Sequence, residues 1–148
     1  MPVYVSNSVA ETESVAADLA RSLRGGECVA LRGDLGAGKT QFVRGLVRGL
    51  GGNPRAVSSP TFVLLNVYDA GPGRLTVYHL DAYRVAGPDD FEAIGFTELL
   101  SQGGVVVVEW AERVESLLPD RRIDVRIDAT GQESRRIAIG APPASSHG

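Results

Sequence analysis

Lysine is nearly missing from this 148-residue sequence. Lys39 is the only one, and every other member of its 15 Lys and Arg residues is arginine. Cysteine is as rare: Cys28 stands alone, so an internal disulfide and a cysteine-built metal cluster are both excluded. A reducing compartment fits that usage. Long apolar runs are missing too. The longest strand-like run is Val105–Val108, far short of a membrane span, and no secretory leader pattern is visible, so a cytoplasmic protein is expected. Excess positive charge is also lacking. With a net charge of −3 there is no broad basic surface, so no DNA partner and no tight RNA contact by this chain alone is expected. What remains is ordinary for a globular protein, with 43% apolar and 22% charged residues. The length suits one domain, placed at 1–140, with a small Pro/Ser-rich tail at 141–148 expected to be disordered.

Against these scarcities stands one dense motif, Gly33-Asp34-Leu35-Gly36-Ala37-Gly38-Lys39-Thr40, of the form G-x-x-x-x-G-K-[ST]. Glycines let backbone N–H groups approach phosphate oxygens without side-chain clash. The lysine adds a compact charge on the outer phosphates, and the threonine hydroxyl suits Mg²⁺. The flanks have the order the motif requires. Cys28-Val29-Ala30-Leu31 is a short apolar run suited to a buried strand. After the motif, Phe42, Val43, Leu46, Val47 and Leu50 share one helical face, and Arg44 and Arg48 take the other. Strand, glycine loop and helix together read as a nucleotide-binding unit in an α/β fold.

Around that unit the chain alternates between strand-like and helix-like stretches. Val3-Tyr4-Val5 is a candidate first strand. Ser8 and Glu11 form a capping box for a helix carrying Val15, Ala16, Leu19, Ala20 and Leu23, which Gly25-Gly26 ends. The turn from Ser8 to Thr12 reads first as that cap; its functional alternative is a border for a nucleotide base. Ser58-Ser59-Pro60-Thr61 is a polar turn feeding a strand, and Thr61 is the candidate for a residue that senses terminal phosphate and Mg²⁺. Two antiparallel hairpins are expected, at 62–80 and 122–139, on a mostly parallel central sheet flanked by helices.

Two acids end strand-like runs. Asp81 closes Arg74-Leu75-Thr76-Val77-Tyr78-His79-Leu80, where it is either a turn former or a Mg²⁺-water ligand. Glu109 closes the four valines 105–108, the shape of a buried parallel strand that delivers a carboxylate to its C-terminal end, where ligands of open α/β sheets lie. Glu109 is thus a second candidate for Mg²⁺ organisation or for orienting an attacking water. Trp110, the only tryptophan, follows directly and packs either on the switch region or at the core edge. His79 reads as a packed or hydrogen-bonded strand residue, with no nucleophile or ligand set nearby.

GDLGAGKT at Gly33–Thr40, SPTF at Ser59–Phe62, YHLDAYR at Tyr78–Arg84 and VEWAER around Glu109 and Trp110 occur in one order and spacing. In these motifs the chain resembles the TsaE (YjeE) family, small bacterial P-loop ATPases of tRNA threonylcarbamoyladenosine formation, from about Val3 to Ile139. The resemblance implies a P-loop NTPase-like fold and slow, Mg²⁺-dependent conversion of ATP to ADP and phosphate. It also implies a TsaB–TsaD pair as partner, which carries out the transfer and through which tRNA is met indirectly. Residue by residue, Lys39 resembles the phosphate-binding lysine, Thr40 the Mg²⁺ ligand, Thr61 the switch threonine, and Asp81 and Glu109 the two important acids. Asp34, Leu35, Gly36, Ala37 and Gly38 complete the loop. Tyr83, Arg84 and Trp110 match further motif positions, and Arg135 or Arg136 resembles a C-terminal arginine near the nucleotide; Thr12 is carried as a nucleotide contact on the capping turn. Ala82 and Ala111 depart from the pattern, where a larger apolar residue and a proline or serine are frequent.

Rival classes leave marks that can be checked. A GTPase of the usual kind needs an N-K-x-D segment, which a chain whose only lysine is Lys39 cannot hold. A P-loop small-molecule kinase, the alternative, needs an acceptor pocket and usually an arginine-bearing lid; Arg113–Arg122 has arginines but no room for a lid insertion.

Overall fold

Valine-rich runs too short to be helices pair here into one seven-stranded sheet. The structure is a computed structural model that describes residues 2–34, 37–57, 65–69, 74–83, 85 and 87–140. In chain order the elements are β1 (Val3–Ser6), α1 (Val9–Ala20), β2 (Cys28–Arg32), α2 (Lys39–Gly49), β3 (Leu65–Tyr68), β4 (Val77–Asp81), α3 (Pro88–Ala93), α4 (Phe96–Leu100), β5 (Val105–Glu109), β6 (Ile123–Ala129) and β7 (Arg135–Gly140). Short 3-10 turns lie at Pro54–Ala56 and Ala111–Leu117.

The sheet order is β1-β7-β6-β2-β5-β4-β3. Its centre is parallel, with β2 between β5 and β6 and β4 beside β5. Both expected hairpins are found in their described parts: β3 pairs β4 and β6 pairs β7, each antiparallel. Residues 62–64, the turn at 70–73 and the tail 141–148 lie outside the described residues. The parallel character is thus confined to the four inner strands, and both edges are antiparallel.

The central strands are covered on both faces, which is why they read as unbroken apolar runs. One core holds Val29, Leu31, Val105 and Val107 against Phe42, Val43, Leu46 and Val47 of α2 and Ala16 and Ala20 of α1. The other holds Ala30, Val106 and Val108 against Phe91 and Phe96 of α3 and α4. Ala82 and Ala111 belong to this second core and are fully buried there.

Helix α1 begins as its capping box demands. Ser8 Oγ accepts from the Glu11 amide at 3.1 Å, and Glu11 Oε1 accepts from the Asn7 amide at 2.8 Å. It ends at Ala20, before the glycine pair: Ser22 Oγ donates to the Leu19 carbonyl, and the Glu27 carboxylate accepts from the amides of Arg24 and Gly25. Leu23 still reaches the core from outside the helix.

Two glycines inside α2 decide how the helices meet. A Cβ on Gly45 would lie 2.1 Å from the Glu13 carbonyl oxygen, and one on Gly49 would lie 2.8 Å from Ala17 Cα. Glu13 therefore faces Gly45 and Ala17 faces Gly49, so the helices run in the same direction and both N-termini point to one end of the sheet. Gly45→Ala should lower the thermal midpoint by roughly 4–8 °C, a loss of about 2 kcal/mol, because gained helix propensity is outweighed by a clash with backbone. A thermal melt that is unchanged or raised would show that the helices separate at little cost.

Candidate functional site

A strand end, a loop and two neighbouring strand ends meet where α2 begins. β2 finishes at Arg32, and the loop leaves through Gly33 at φ +146°, where a Cβ would lie 2.4 Å from the Ile127 carbonyl oxygen of β6. Only glycine lets the loop press so closely on the sheet. Asp34 is exposed, its carbonyl accepts from the Ala37 amide at 3.0 Å, and Ala37 is buried. Gly38 takes φ +103°, and Lys39 and Thr40 open α2. Leu35 and Gly36 lie outside the described residues.

Lys39 is 6% exposed. Its Nζ donates to the Gly33 carbonyl oxygen at 2.7 Å, closing the loop on itself, and sits 3.8 Å from the centre of the Trp110 ring. That is a cation–π contact at close range. Burial pushes the Lys39 ammonium below the ordinary lysine range, while Glu109, Glu112, Asp81 and Asp34 pull it back up. The loop lysine is therefore the local counter-charge for a set of acids.

Asp81 and Glu109 end adjacent parallel strands and are register partners, so both carboxylates belong to the sheet face that carries α2. In the same register Glu109 faces Leu31 of β2, two residues before the loop. Both acids are buried. Burial pushes the Asp81 carboxyl above the usual carboxylate range; the Glu109 charge adds to this, and the Tyr83 amide, donating to Asp81 Oδ1 at 2.8 Å, works against it. Two like charges in one desolvated row favour a cation between or before them. Oxygen donors only, two carboxylates and the Thr40 hydroxyl, suit Mg²⁺, which keeps several waters and binds through one or two carboxylates plus phosphate oxygens. Among the described residues no group of three or more His, Cys, Asp or Glu is arranged to hold a metal ion by itself.

His79 is the residue that sequence reasoning undervalued. It is fully buried, with Nε2 2.5 Å from Glu109 Oε2 and Nδ1 3.0 Å from the Tyr68 hydroxyl. The signal was present in His79-Leu80-Asp81: residues two apart on a strand share a face, so a histidine two before a site carboxylate faces the site.

Trp110 adopts φ 58° and ψ 41°, the one non-glycine residue with positive φ among the described residues. That backbone turns the chain sharply after Glu109 and lays the indole beside Lys39. Tyr83 meets the indole edge-on at 4.8 Å, and the Arg113 guanidinium lies 5.2 Å over the Tyr83 ring.

The remaining candidates divide. Arg135 reaches the loop: its Nε is 3.1 Å from the Cβ position of Gly38, and its Nη1 donates to the carbonyls of Gly131, Gln132 and Ser134. Arg136 is exposed, so alternation along β7 selects Arg135 as the arginine beside the loop. Thr12 is buried, with Oγ1 2.7 Å from Ser6 Oγ, and Ser6 is the register partner of Arg135. The Thr12 hydroxyl is engaged by Ser6. Thr61 and Arg84 lie outside the described residues. Cys28 offers no nucleophile, since burial pushes its thiol up to about 12. No helix among the described residues is long and apolar enough to cross a membrane.

The model of a family described as "Threonylcarbamoyl adenosine biosynthesis protein TsaE" matches residues 6–137. The tRNA threonylcarbamoyladenosine biosynthesis protein TsaE of Treponema pallidum (strain Nichols) is 43% identical over 135 residues, covering 91% of this chain and 97% of that protein. The TsaE protein of Bacillus subtilis (strain 168) is 40% identical over 131 residues, covering 88% of this chain and 80% of the relative. Among solved structures, the crystal structure of Bacillus subtilis YdiB superposes with a TM-score of 0.76 at 32% identity, covering 95% of this chain and 84% of that one.

Proposed function

The chain belongs to the TsaE family of threonylcarbamoyl adenosine biosynthesis proteins, and from that premise we propose that it is a slow, Mg²⁺-dependent ATPase that supports turnover of a TsaB–TsaD pair. Its place in tRNA threonylcarbamoyladenosine biosynthesis follows from family membership. The ATPase reading is carried by one observation. The two register-paired acids Asp81 and Glu109 end the strands beside the loop whose lysine they hold as counter-charge.

In this reading the amides of Gly33–Thr40 and the N-terminal end of α2 take the phosphate oxygens. Asp34, Leu35, Gly36, Ala37 and Gly38 shape the cradle, and Arg135, packed on Gly38, adds positive charge at its rim. Lys39 exchanges the Gly33 carbonyl for a phosphate oxygen and stabilises charge that develops on the transferred group. Thr40, Asp81 and Glu109 would hold Mg²⁺, which would supply neutralisation of phosphate charge. Glu109 accepts a hydrogen bond from the attacking water and so orients it. Thr61 is the switch residue that responds to the terminal phosphate, Trp110 flanks Lys39, and Thr12, whose hydroxyl meets Ser6, borders the nucleotide. ADP and phosphate leave; the transfer to tRNA belongs to the partner pair, and the protein works in the cytoplasm without touching DNA.

Phosphate release from Mg-ATP with no acceptor present tests the reading. Slow release by the chain alone that rises when a TsaB–TsaD pair is added is the expected result. Release that demands a small-molecule acceptor would make the chain a kinase instead, and brisk release indifferent to the pair would remove the accessory role.

A further inference from the structure

We infer that His79 is a positioning residue for Glu109, held against it by Tyr68 at its other ring nitrogen. The inference rests on the ATPase reading and deepens it.

An ionised carboxylate only accepts hydrogen bonds, so the 2.5 Å contact at Glu109 Oε2 requires His79 Nε2 to donate. The Tyr68 hydroxyl, able to donate or to accept, lies 3.0 Å from Nδ1 and holds the other edge of the ring. The imidazole is thus held at both nitrogens, the arrangement by which outer partners orient reactive groups elsewhere. Sheet register builds the chain of contacts. Tyr68 pairs with Val77 on the outer hairpin, His79 with Val107, and Asp81 with Glu109, so the imidazole lies one step below the two acids on their own face.

Packing alone does not ask for histidine here. The position is fully buried, between Val107 of β5 and Asn66 of β3, and an apolar side chain would avoid burying two polar nitrogens. Among the described residues His79 is the only side chain that donates a hydrogen bond to Glu109. It leaves the second carboxylate oxygen of Glu109 to the site and removes the side-chain freedom that would otherwise blur its aim.

Steady-state phosphate release by the full chain tests this, using the wild type, His79→Leu, His79→Gln, Tyr68→Phe and the Tyr68→Phe/His79→Leu double variant. Affinity for a fluorescent ADP analogue is measured in parallel. His79→Leu should lower kcat by about 10- to 100-fold with KM for Mg-ATP nearly unchanged. His79→Gln, whose amide N–H sits where the imidazole Nε2–H was, should recover most of that loss. Tyr68→Phe should cost less than His79→Leu and nothing further in the His79→Leu background. Nitrogen-15 spectra provide a readout apart from activity: the chain has one other histidine, His147, so two rings need assignment. The His79 ring should show a protonated Nε2. Should His79→Leu fail to fold, His79→Gln near wild-type rate and the protonated Nε2 carry the test. An unchanged kcat in a folded His79→Leu, a His79→Gln no better than His79→Leu, equal losses in kcat and ADP affinity, or an unprotonated Nε2 would each overturn the inference. No release by the wild type would overturn the ATPase reading and this inference together. Release by the wild type that His79→Leu retains overturns this inference alone.

Discussion

Lys39→Met should leave a folded protein whose phosphate release from Mg-ATP is at least about 100-fold slower than wild type, the scale of loss when one preorganised stabiliser of transition-state charge is removed. Methionine keeps most of the unbranched stem and a polarisable atom beside Trp110, so the substitution removes the charge more than the packing. No other lysine exists to substitute for it. Arg135 is the nearest candidate cation at the loop, but its Nη1 is committed to the carbonyls of Gly131, Gln132 and Ser134. Raising ATP should not restore the rate, because charge that builds on the transferred group is absent from bound substrate. Far-UV circular dichroism reports the fold and a phosphate-release assay the loss. A folded variant with wild-type turnover would remove Lys39 from the chemistry and, with it, the reading of the loop.

How far the sequence disclosed all this depended on whether the determining contacts were local. The loop and α2 were legible because glycine spacing, lysine and helix start are fixed within eight residues. The same holds for the cap at Ser8 and Glu11 and for the hairpin of β6 and β7, whose alternation is visible in place. β1 was legible as a strand but not as an edge partner of β7. Val3, Tyr4 and Val5 are all exposed, so no alternation announces which side they serve, and the pairing spans nearly the whole chain. Gly45 and Gly49 carry no signal within the helix's own sequence; only the backbone of α1 against them gives the glycines a purpose. His79 was correctly read as a packed strand residue, yet its partner Glu109 is 30 residues away, and only the register of β4 on β5 joins them. The choice between Arg135 and Arg136 likewise waited on which face of β7 met the loop.

Glu109→Gln separates binding from chemistry at this site. The amide keeps an oxygen that accepts from His79 Nε2, so the side chain should stay in place while it loses its charge. ATP affinity should remain within about threefold of wild type: one of the three groups for Mg²⁺ is weakened, but Lys39, Thr40 and Asp81 are untouched and one negative charge near the phosphates is gone. kcat should nevertheless fall by about 100-fold or more, since a neutral amide is a far poorer acceptor for the proton of an attacking water. Binding is thus kept while chemistry is lost, a split that a general loss of structure cannot produce. Nucleotide titration and single-turnover hydrolysis on the same preparation read them separately. Equal losses in both would make Glu109 a binding or structural residue, and the task of placing water would pass to Asp81, its register partner, whose carboxylate is anchored by the Tyr83 amide.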